Sequence, residues 1–75
     1  MTEPIRPGMH VRDVRGSRLG AVGAVAKDRL RLDTDSGAGV WLSLEAVLNA
    51  GFGTVTLICD GSALSEHEVP PPVPG

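Results

Sequence analysis

Tyrosine is absent from this 75-residue chain, and Trp41 and Phe52 are its only aromatic residues. So small an aromatic set argues against functions that run on base stacking or an aromatic cage. A single cysteine, Cys59, leaves no intramolecular disulfide to form, so the fold rests on its apolar core. No apolar run approaches the ~18 residues of a membrane span. Nor does the start of the chain show the basic-then-apolar pattern of a secretory leader. A cytoplasmic location without a membrane partner is the expectation. Lys and Arg are missing altogether after Arg31. The formal net charge of −2 and pI near 5.5 give no overall reason to seek nucleic acid or anionic lipid.

What is present fits one small domain. A chain this short buries only about 60% of the surface that its unfolded form exposes. The hydrophobic share of 41% and charged share of 21% belong to a compact chain and not to a disordered one.

Met9-His10-Val11-Arg12 alternates apolar with polar and reads as a strand after the Arg6-Pro7-Gly8 turn. The residues around Gly16 form a tight connection. Leu19 to Ala26 contains Gly20 and Gly23, which count against helix and mark a bent strand, with a bulge near Gly23 that lets Val22 and Val25 both face inward. Arg29-Leu30-Arg31-Leu32-Asp33 is the clearest alternation, leucines inward and charges outward. Val40-Trp41-Leu42 is a short strand after a flexible turn, Ser43 caps one helical turn, and residues 49–53 read as a loop. Thr54 to Ile58 is the last strand. The expected core is Met9, Val11, Leu19, Val22, Val25, Leu30, Leu32, Leu42, Leu44, Val47, Val55 and Leu57. The fold class is all-β, a small antiparallel barrel of about five strands with one short helical turn. Residues 1–61 form the barrel domain. Residues 62–75 form a flexible acidic and Pro-rich tail, disordered and unable to pair in a sheet.

Pro7-Gly8-Met9, Val11, Gly16 and Leu19-Gly20-x-Val22, followed by Asp28, Leu30, Leu32 and Val40-Trp41-Leu42-Ser43-Leu44, resemble the PRC-barrel domains, which have an SH3-like barrel. The ordered set looks most like the short stand-alone bacterial proteins of that kind, which carry a domain-of-unknown-function label. Ser43 stands where a proline is common in them. The resemblance implies a docking or adaptor module for a protein partner. It does not imply an SH3-type proline-peptide groove, which needs several aromatic side chains. Gly8-Met9-x-Val11 with Leu19-Gly20-x-Val22 is also similar to the KOW element, which implies the alternative of an RNA- or ribosome-associated module.

Chemistry is sparse. Cys59, at the end of the last strand, reads as a small apolar residue or a reactive thiol. His10 lies on the outward side of the first strand. Glu66-His67-Glu68 lacks the spacing of a structural zinc site. No glycine-rich loop leads into a helix as phosphate binding requires. The expectation is a chain that is not an enzyme and that takes no cofactor or metal.

Charge is the more telling feature. Residues 1–31 carry all seven Lys/Arg against three acids, a net +4, and residues 32–75 carry six acids and no base, a net −6. Arg12, Arg29 and Arg31 point outward by alternation, and Arg15 and Arg18 flank the first hairpin. Either these arginines build one basic face or the fold interleaves them with acids. A basic face would meet an acidic protein patch, the acidic tail of another copy in a weak homo-oligomer, or RNA phosphates. Trp41 alternates with Val40 and Leu42 and is expected outside, as an interface residue, as cover for the barrel end or packed on the tail. The candidate interaction surface is therefore Arg12, Arg15, Arg18, Arg29, Arg31 and Trp41.

Overall fold

The alternation of residues 29–33 is realised as a strand whose leucines are fully buried and whose charged residues lie on the other face. The computed structural model describes residues 4–73 and shows an all-β chain. Its strands are β1 (His10–Arg12), β2 (Arg18–Val25), β3 (Arg29–Thr34), β4 (Gly39–Ser43), β5 (Val47–Gly51) and β6 (Thr54–Leu57). They form one sheet in the order β4-β3-β2-β1-β6-β5, curled into a half-barrel around the core. Two 3-10 turns, η1 (Leu44–Ala46) and η2 (Gly61–Glu66), complete the described elements.

Two features of the sheet differ from the sequence reading. The segment read as a loop before the last strand is β5, which makes six strands. It hides in sequence because Asn49, Ala50 and Gly51 have low strand propensity. It forms through antiparallel pairing with β6, and the small side chain of Ala50 fits the buried inner side. The hairpin turns at Phe52 and Gly53, with φ of 56° and 75°, the left-handed pair that a tight two-residue turn needs. The sheet is also not wholly antiparallel, because β1 pairs with β6 in parallel, His10 opposite Thr54 and Arg12 opposite Thr56. The β5–β6 hairpin reverses the chain, so β6 reaches β1 running in the same direction.

Local chemistry explains the connections. Asp13 is buried at 5% exposure, and its Oδ1 accepts from the backbone N–H groups of Arg15 and Ser17, both at 2.9 Å. The Asp13 carbonyl accepts from Gly16, whose φ of 89° suits glycine. The bulge in β2 falls between Val22 and Ala24, at Gly23 as expected. Val22 is buried, whereas Val25 stays 39% exposed. Val25 keeps the inward register opposite Leu30 but lies at the strand's end, beyond the reach of the core. Ser43 caps η1 by accepting from the Glu45 N–H at 3.2 Å.

Eight of the twelve expected core residues are buried, and Leu19, Leu44 and Val47 pack against them half-buried. Ala46 and Ala50 join the core unanticipated. After β6, Asp60 caps η2 through the Ser62 N–H, and Leu64 of that turn packs on the core. Residues from Ser62 onward were expected to make no sheet pairing, yet Glu68 forms an antiparallel bridge with Leu42. Among the described residues, no helix is long and apolar enough to cross a membrane.

Candidate interaction surface

The register between β3 and β4 sets the surface. Leu30 faces Leu42 and Leu32 faces Val40 on the inner side, so Arg31 and Trp41 are direct cross-strand partners on the outer side. Direct partners on one face of an antiparallel pair hold their Cβ atoms about 4.5–5.5 Å apart. Trp41 is half-buried there, because residues 67–70 run along the open side of β4. The Ser43 N–H donates to the His67 carbonyl at 3.1 Å, and the Val69 N–H donates to the Trp41 carbonyl at 2.8 Å. Arg29 then donates through Nη1 to the Pro70 carbonyl at 2.6 Å. A cleft of about 510 Å3 lies here, lined by residues 39–41 and 68–71.

Three of the five candidate arginines carry an aspartate partner. Arg29 makes a two-pronged contact with Asp28, at 2.8 and 3.1 Å. Hydrogen bonding to Arg29 holds the Asp28 carboxyl below its ordinary value, and the same bond raises Arg29. Arg31 grips Asp33 likewise, at 2.8 and 3.3 Å. Gly23 makes room for this pair: a Cβ at that position would run into the Asp33 carboxylate and lie 2.8 Å from Arg31 Nη2. Arg18 contacts Asp35 at 3.4 Å and donates to His10 Nδ1 at 2.6 Å, so that ring nitrogen is an acceptor. Arg12 donates to the Gly16 carbonyl at 3.2 Å. The charge of Arg15 helps to lower Asp60, after the larger effect of the Ser62 hydroxyl bond.

The structure therefore divides the six residues into two groups on the outer face. Arg29, Arg31 and Trp41 gather where β3 and β4 meet the C-terminal segment. Arg12, Arg15 and Arg18 gather at the β1–β2 hairpin, with Arg12 opposite Arg18. Asp33 and Asp35 each hold an arginine, Asp33 one from the first group and Asp35 one from the second. Sequence reasoning allowed Trp41 to pack on the tail but did not foresee that the C-terminal segment pairs with β4 through its backbone. Its signal is the apolar Leu64 and Val69, set in a largely polar and Pro-rich stretch.

The remaining candidates have structural settings. Cys59 is half-buried, and burial pushes its thiol up, helped by the charges of Asp60, Glu66 and Asp13. His67 uses its backbone at both ends, donating to Leu64 and accepting from Ser43. Among the described residues, no group of three His, Cys, Asp or Glu is placed to hold a metal ion. Comparison with family models, with curated proteins and with solved structures finds no match to this chain.

Proposed function

We propose that this chain is a non-enzymatic, PRC-barrel-like interaction module of the bacterial cytoplasm, an adaptor that engages a protein partner through Arg31 and Trp41. The observation that carries this reading is the placement of Trp41 beside Arg31 on the outer face, next to a cleft. Trp and Arg are the side chains most enriched among residues that dominate binding energy. An Arg already braced by Asp33 offers its guanidinium with little side-chain entropy left to lose. The raised Cys59 thiol disfavours the nucleophilic thiolate, which supports binding over catalysis.

The test is capture of partners from a lysate of the source cells at moderate salt, using the tagged full chain beside Trp41→Ala and Arg31→Ala variants of unchanged circular dichroism. A discrete protein lost with either variant is the expected result. Retention of every partner by both variants would overturn the reading. Nuclease-sensitive RNA as the enriched species would replace it with the KOW-like alternative. RNA binding should then weaken with salt, at a log–log slope of about −0.7 per neutralised phosphate of a single strand.

A further inference from the structure

The sheet order leaves β4 and β5 at its two margins, and the chain treats them differently. Residues 67–69 lie along β4 and bond it at Ser43 and Trp41, with Glu68 bridged to Leu42. This is strand addition, a mode by which folded domains also take up extended peptides. Here the added strand belongs to the same molecule.

The bonds define what the margin accepts. One backbone N–H is needed opposite the Trp41 carbonyl, and Val69 supplies it. One carbonyl must follow for Arg29, and Pro70 supplies it. The next residues, Pro71 and Pro72, have no N–H, so the ladder ends after two backbone bonds. Proline at these positions holds the segment extended before it docks, which lowers the ordering cost. The aromatic poverty that excludes an SH3-type groove does not bear on this mode, because backbone bonds and Arg29 carry the recognition.

So short a ladder, on half-exposed residues, belongs to the part of a structure that opens at low cost. We propose that the β4 margin, with Trp41 and Arg29, is a docking site for an extended Val-Pro-Pro-type segment of a partner protein, and that residues 67–71 occupy it in the isolated chain as a tethered competitor. The inference rests on the adaptor reading and names the chemistry of its partner.

Trp41 is the single tryptophan and reports directly on this margin. Val69→Pro in the full chain removes the N–H that reaches the Trp41 carbonyl. Its fluorescence should shift to the red and become more open to acrylamide quenching, with the circular dichroism of the sheet retained. A synthetic peptide of residues 65–73 should return the emission of the variant to the wild-type value in a saturable titration. The wild-type chain should bind the same peptide at least tenfold more weakly, because its own segment competes at high effective concentration. Arg29→Ala, which keeps the backbone bonds, should give the same red shift at smaller amplitude. Unchanged emission in both variants, a peptide without effect on Val69→Pro, or equal peptide affinity for both chains overturns the proposal. Unfolding of Val69→Pro overturns it as well, since the segment would then be part of the core fold. Partner capture that depends on Trp41 but ignores the peptide would leave the adaptor reading standing and remove this one alone.

Discussion

Asp13 combines burial with formal charge, and its bonds to Arg15 and Ser17 are what fold the first hairpin. Removing the carboxylate orphans two backbone donors at once. Asp13→Ala should cost about 1–3 kcal/mol of stability, read as a lower urea midpoint, while Asp13→Asn, which keeps one acceptor oxygen, should lose less. Gly20 and Gly23 make a sharper pair. A Cβ at Gly20 would collide with the backbone carbonyl of Asp33 and lie 2.9 Å from Thr34 Cα, atoms that the sheet holds in place. At Gly23 the obstacle is the Arg31–Asp33 side-chain pair, which can swing away. Gly20→Ala should therefore cost about 1–3 kcal/mol, as overpacking does. Gly23→Ala should cost clearly less and show instead as a displaced Arg31–Asp33 pair, visible in side-chain NMR shifts.

At the scale of elements, the β5–β6 hairpin is built on an awkward turn residue. Phe52 holds a φ of 56° and is fully exposed, so it bears left-handed backbone strain and gains nothing from burial. Phe52→Asn should stabilise the protein by about 1 kcal/mol, measured as a rise in melting temperature, since Asn accepts that conformation. The same hairpin shows where sequence reading reaches its limit. β3 is legible because Leu30 and Leu32 alternate with charge, and Ser43 is legible as a cap. β5 is not, because its buried position needs a residue as small as Ala50, and its turn lacks the usual Asn-Gly. Of the candidate surface, the outward face of Arg31 and Trp41 follows from alternation alone. The segment beside them does not, because nothing in Val69-Pro70 announces which strand it will meet.

For the molecule as a whole, acid should loosen the fold in a definite window. Asp28 and Asp60 both have carboxyls below their ordinary value, through Arg29 and the Ser62 hydroxyl respectively. A folded-state value below the unfolded one gives stability that is present above about pH 4 and is lost as pH falls through the depressed folded values. Both groups are at the surface, so the loss should be modest. Asp60→Asn should flatten the fall in urea midpoint below about pH 4, and an unchanged slope would discount the cap.

The parallel contact of β1 with β6 also sets a clock. His10 meets Thr54 only after forty-four further residues have been made, which at roughly 5–20 residues per second takes seconds during synthesis. The meander β1–β2–β3–β4 needs only short loops and is free to form first. Until β6 arrives, β1 offers its second side to any extended chain nearby. The molecule is thus most open to misassembly after the meander has closed and before β6 has docked, and a variant whose β6 pairs more slowly should aggregate more on refolding.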